Sequence, residues 1–123
     1  MADILNGLRV LVLEDEFLIA MDVEQICRDF GASDVTIART LEEAEDALVS
    51  IKFDAAIFDL MLNQKSTLGL AARLWEQAIP FIFASGYDGF GDAANPFPGV
   101  KLVGKPYSDI ELVKALATAC GRG

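Results

Sequence analysis

Glu14, Asp15 and Glu16 stand side by side in VLVLEDEF, residues 10–17, directly behind four apolar residues. Asp59 follows the apolar run of DAAIF, Ser85 follows FIFA, and Lys105 follows KLVG. Two carboxylates about 4 Å apart repel by roughly 4 kcal/mol at an effective dielectric of about 20. A hard divalent cation offsets that cost with oxygen ligands. Mg²⁺ suits a site of few carboxylates and several retained waters. Lys105 adds a fixed positive charge and Ser85 a hydroxyl donor. Such a set suits phosphoryl transfer, in which charge spreads over the equatorial oxygens and must be neutralised. An Asp carboxylate can itself be the nucleophile, giving an aspartyl phosphate. The chain has no His, so the commonest general base is missing. One strand-ending Asp is an ordinary turn residue. Four polar residue sites behind four apolar runs are what point to chemistry.

These residues act together only if the fold brings them together. Residues 8–13, LRVLVL, read as a buried strand. The period then becomes helical over residues 17–30, with Ile19, Val23, Ile26 and Phe30 on one face, and Gly31 ends the helix. Residues 34–38 form a second strand. Thr40 with Glu43 is a capping box that opens a helix to about residue 49. Residues 54–58 form a third strand that ends at Asp59, and LMLNQKST is a loop. Residues 68–77 are helical in pattern, and residues 81–84 form a fourth strand that stops at Ser85. Residues 86–99 are broken by Gly and Pro, so a fourth helix is short or disordered. Residues 100–103 form a fifth strand, and Ser108 caps a last helix that ends near residue 121. Strand and helix alternate, which predicts an α/β fold with a five-stranded parallel sheet covered on both faces and right-handed crossovers. Ligands of such sheets sit beyond the C-terminal strand ends. Glu14 and Asp15, Asp59, Ser85 and Lys105 therefore converge on one edge.

The chain has 123 residues, 53% of them apolar, which predicts one domain over residues 1–123 with a core of its own. Its net charge of -9 argues against direct contact with nucleic acid, which needs a basic face. No basic segment precedes an apolar run at the start, and no apolar run approaches the roughly 20 residues of a membrane span. A cytoplasmic protein away from the membrane is expected. Cys27 and Cys120 read as two buried thiols in helices.

The motifs resemble the receiver domain of two-component response regulators over essentially the whole chain. VLVLEDE is similar to that family's first strand and acidic pair, AAIFDLML to the strand with the phosphoacceptor, PFIFASGYD to the switch strand, and KLVGKP to its Lys-Pro turn. The resemblance implies the flavodoxin-like (βα)5 order. It implies Asp59 as phosphoacceptor, Ser85 as switch hydroxyl and Lys105 as phosphoryl contact. It also implies Mg²⁺ held by Asp15 directly, Glu14 through water, Asp59, and the backbone carbonyl of Met61. IPFIFASGYDG is similar to the Phe-Ala-Thr-Gly-x-Tyr receivers of alphaproteobacteria, with Ser85 in place of their Thr. Met61 stands where that group often has Asn, and Asn63 where many receivers have Pro. Leu102 stands at the usual switch aromatic, which leaves Tyr87 as the aromatic expected to move.

The implied role is to accept a phosphoryl group from a phosphohistidine on a histidine kinase or histidine phosphotransfer protein, without being an enzyme itself. A receiver-fold interaction module that no longer cycles is the alternative. A phosphatase of the Asp-x-Asp-x-Thr type is disfavoured, because Asp59-Leu60-Met61 lacks the second Asp. Phe17, Leu18 and Met21 lie off the apolar stripe of the first helix. Ile110, Leu112, Val113 and Leu116 exceed one narrow stripe on the last. Apolar surface of this kind suits a partner or a homodimer.

Overall fold

The computed structural model describes residues 3–85, 96–104 and 108–122, with Ser85 described by its backbone alone. Five strands form one parallel sheet: β1 (Arg9–Leu13), β2 (Asp34–Ala38), β3 (Ala55–Asp59), β6 (Phe81–Ser85) and β7 (Leu102–Gly104), in the order β2-β1-β3-β6-β7. Between β3 and β6 the strands β4 (Met61–Leu62) and β5 (Lys65–Ser66) pair antiparallel as a small hairpin. Four helices are present among the described residues: α1 (Phe17–Asp29), α2 (Leu41–Ser50), α3 (Leu68–Glu76) and α4 (Asp109–Ala119).

The near-continuous apolar strands follow from a sheet buried on both sides. In β1, Val10 and Val12 face the core shared with α1 and α4, beside Val23, Ile26, Leu112 and Leu116. Leu11 and Leu13 point the other way, into the core with Ala44, Leu70 and Leu74 of α2 and α3. The expected stripe of α1 holds: Val23 and Ile26 are buried, and Ile19 and Phe30 pack half-buried against the same core. Gly31 has φ +103, and a Cβ there would lie 3.1 Å from the Asn6 backbone, so glycine both ends the helix and lets the N-terminal turn close over it.

Several expectations need correction. The LMLNQKST segment is not only a loop, since it contains the β4–β5 hairpin. Asn63 and Gln64 at its tip have φ of 51 and 65, the geometry of a two-residue hairpin turn. The fifth strand runs Leu102–Gly104 rather than 100–103, because the Val100 N–H turns back to the Phe97 carbonyl at 3.1 Å. The breadth of the last helix is core, not surface: Leu112, Val113 and Leu116 are all buried, and Ile110 alone of the four is exposed. The capping box of α4 is complete between Ser108 and Glu111. That of α2 is half-made: Thr40 accepts the Glu43 N–H, but the Glu43 carboxylate accepts from the Arg39 N–H at 3.1 Å. Tyr87 and most of the segment 86–99, where the fourth helix was expected to be short or disordered, lie outside the described residues.

Candidate functional site

The strand order reverses between β1 and β3, the place beyond whose C-terminal strand ends sheets of this kind bind their ligands. Parallel register brings the strand ends level. Leu13 pairs with Phe58, Asp59 with Ala84, and Ser85 with Gly104. The backbone pairing of β1 continues one residue past the strand, with the Glu14 N–H on the Ala38 carbonyl at 3.1 Å. Glu14 is thus drawn inward and is only 4% exposed. Its carboxylate accepts the Glu16 N–H at 3.2 Å. Glu16 is the N-cap of α1 and makes no side-chain capping bond, and Glu14 two residues before it ties down the N–H of the N-cap residue itself.

Asp15 and Asp59 are half-buried. The Asp15 Oδ2 accepts the Asn63 N–H at 2.9 Å, and the Asp59 Oδ1 accepts the Met61 N–H at 3.4 Å. One carboxylate oxygen each from Glu14, Asp15 and Asp59 lie within 4.8 Å of one another. An octahedral Mg²⁺ with ligands at about 2.0–2.1 Å holds neighbouring oxygens about 3 Å apart and opposite ones about 4 Å apart. The three carboxylates are near enough to share such an ion, after closing up by at most about 2 Å or, for Glu14, with a water in between. The Met61 carbonyl fits too. Leu60 and Thr67 share a hairpin hydrogen bond of 3.1 Å, and Leu62 and Lys65 flank the turn. Met61 and Ser66 are therefore the pair whose backbone groups point out of the ladder. In an extended strand the N–H and C=O of one residue point the same way, and the Met61 N–H points to Asp59.

Three further residues belong to this edge. Thr67 is fully buried, and its hydroxyl lies 2.6 Å from the Asp59 carbonyl and 3.1 Å from the Leu60 carbonyl. Asn63 donates its side-chain amide to the Arg39 carbonyl at 2.9 Å. The Arg39 guanidinium donates to the Asp15 carbonyl at 3.3 Å and lies 5.6 Å from the centroid of the Phe17 ring. Sequence reading places Asn63 in the motif but assigns a role at this edge to none of the three. A Thr just ahead of a helical run and an Asn at a tight turn are recognisable signals. That the Thr side chain turns backward, away from capping its helix, is a tertiary outcome.

The remaining expected site residues are placed as follows. Ser85 ends β6, one residue beyond the Asp59 partner. Lys105 follows Gly104 in sequence and lies outside the described residues. Leu102 is half-buried on the edge strand and packs against the core of α2 and α3. Phe17, Leu18 and Met21 are 53%, 80% and 47% exposed on α1. Cys27 is buried and Cys120 partly so, and both are free thiols. No helix among the described residues is long and apolar enough to cross a membrane.

No family model and no curated protein sequence matches the chain. Solved structures do. The PhyR anti-anti-sigma factor of Bartonella quintana superposes with a TM-score of 0.79 at 30% identity over 92% of this chain and 47% of its own. The chain thus spans about half the length of that protein. The receiver domain of the Erythrobacter litoralis PhyR response regulator superposes at 0.78 with 25% identity, over 93% of this chain and 90% of its own. A response regulator receiver protein of Sinorhizobium medicae gives 0.81 at 23% identity, over 95% and 98%. The chain shares the flavodoxin-like receiver fold of response regulators.

Proposed function

We propose that the chain is a phosphorylatable receiver domain whose phosphoacceptor is Asp59, and that it belongs with the Phe-Ala-Thr-Gly-x-Tyr receivers. The observation that carries this reading is the convergence of the Glu14, Asp15 and Asp59 carboxylates at the strand-order reversal. The likeness to PhyR chains supports it. Transfer breaks the P–N bond of a phosphohistidine and forms a P–O bond to a carboxylate oxygen of Asp59; the electron pair of the broken bond stays on the imidazole nitrogen. The donor His belongs to a histidine kinase or histidine phosphotransfer protein in the cytoplasm, and the chain is a phosphoryl acceptor rather than an enzyme with its own substrate.

Glu14, Asp15, Asp59 and the Met61 carbonyl would hold Mg²⁺, which supplies neutralisation of the charge that develops on the phosphoryl oxygens. The chain's own part is placement. Thr67 fixes the main chain at Asp59, and the Met61 N–H limits rotation of the Asp59 carboxylate. Ser85 and Lys105 are the residues assigned to the incoming phosphoryl group. Phe17, Leu18 and Met21 form the docking surface beside the site, and a homodimer through the same surface is the second use of it. Intact mass after incubation with acetyl phosphate and Mg²⁺ tests the proposal. The wild type gains one phosphoryl group, whereas Asp59→Asn gains none and EDTA abolishes the gain. Equal uptake by Asp59→Asn refutes the assignment of Asp59.

A further inference from the structure

The tip of the β4–β5 hairpin reaches two other loops at once. The Asn63 N–H holds the Asp15 Oδ2 at 2.9 Å, and the Asn63 side-chain amide holds the Arg39 carbonyl at 2.9 Å. Arg39 closes the ring, because its guanidinium donates to the Asp15 carbonyl at 3.3 Å. Its own N–H is tied to Glu43 on α2. The ring joins the loop after β1, the loop after β2 and the hairpin after β3.

This ring bears on the acid cluster through one atom. Asp15 lies between β1 and α1, in neither element, so neither a ladder nor a helix fixes its side chain. A carboxylate gripped at one oxygen presents the other in a set direction. The grip depends on where the hairpin tip sits. Asn63 is suited to it twice: it tolerates φ of 51, and it carries the amide that fastens the tip to Arg39. The proline found at this position in many receivers has no N–H and a fixed negative φ, and it would supply neither contact.

We infer that Asn63 is a positioning residue that sets the affinity of Asp15 for a divalent cation by clamping the hairpin tip to the Arg39 carbonyl. The inference rests on the metal reading proposed above. Partners that orient a ligand from behind tune metal affinity without touching the ion. Here the bond is exposed, so the effect is that of one net hydrogen bond, about two- to tenfold.

The test is a calorimetric Mg²⁺ titration of the full chain, paired with acetyl phosphate labelling as a function of Mg²⁺ concentration. Asn63→Gly keeps the N–H and the turn geometry and removes only the amide. It is expected to raise the half-saturating Mg²⁺ concentration about two- to tenfold, and excess Mg²⁺ is expected to restore the labelling rate. Gln64→Gly adds the same chain freedom to the same turn and is expected to leave half-saturation where it was. An unmoved half-saturation in Asn63→Gly overturns the inference. So does an equal shift in Gln64→Gly, or a rate loss that excess Mg²⁺ does not restore. A wild type that is labelled on Asp59 without any dependence on Mg²⁺ overturns the metal reading, and the inference falls with it.

Discussion

Replacing Thr67 with Val removes one hydroxyl from a fully buried site and keeps the shape of the side chain. The hydroxyl lies 2.6 Å from the Asp59 carbonyl and 3.1 Å from the Leu60 carbonyl, and the residue is 0% exposed. Val leaves buried acceptors without this donor in a place water does not reach, which costs about 1–3 kcal/mol. A chain of 123 residues melts with an entropy of about 0.26 kcal/mol/K, from about 2.1 cal/mol/K per residue. The melting temperature should therefore fall by about 4–12 °C. Thr67→Ser keeps the donor and loses a buried methyl group, about 1 kcal/mol, so it should fall by less. Urea unfolding at constant slope measures both losses. Because the hydroxyl steadies the main chain that carries Asp59, acetyl phosphate labelling should slow in Thr67→Val and hold in Thr67→Ser. A Val variant as stable as wild type, or a Ser variant less stable than Val, refutes this account of Thr67.

Burial pushes the Cys27 thiol up to about 12, well above its value in an unfolded chain, so the fold favours the protonated form. The stabilisation this gives is complete below about pH 9 and is lost as pH rises toward 12, at up to about 1.4 kcal/mol per pH unit. Cys27→Ala should show a shallower loss of urea stability than wild type between pH 9 and 11, and parallel profiles would contradict the sign. Met21→Glu places a charge on the 47% exposed position of α1. It should weaken transfer from a protein phosphohistidine donor while leaving acetyl phosphate labelling intact, and equal transfer to both proteins would rule out this docking surface.

The carboxylate cluster could be read from sequence because each acid follows an unbroken apolar run. Such runs fix both the strand and where it stops, and the parallel order then levels the strand ends. Asn63, Thr67 and Arg39 were hidden for a different reason. Each acts through contacts to a distant loop, and nothing in NQ, ST or RT specifies which loop that is. The hairpin escaped because its strands are two residues long and its turn is Asn-Gln rather than Asn-Gly. The last helix was read as partly outward because breadth of apolar surface does not reveal how many neighbours cover it. In the structure Leu112, Val113, Ala115, Leu116 and Ala117 are all buried, against the sheet, α1 and the N-terminal turn. Leu5 is itself fully buried, from a stretch with no strand or helix pattern.

The pairing of β1 with β3 has a consequence for how the molecule folds. Among the described strands it is the pairing that passes over another strand of the same sheet, β2: Val10 meets Ala55, 45 residues on, whereas Arg9 meets Asp34, 25 residues on. Closing the longer loop costs only about 0.5 kcal/mol more than closing the shorter, since the cost grows with the logarithm of length. The same joint brings Glu14 and Asp15 against Asp59, far along the sequence from them, within 4.8 Å. Each such pair repels by about 0.9 kcal/mol even in a water-like medium and by about 3.5 kcal/mol at an effective dielectric of about 20. The repulsion that this joint creates in the folded chain therefore exceeds the extra loop-closure cost of passing over β2. A divalent cation bound between these carboxylates would offset a repulsion that the β1–β3 pairing itself creates.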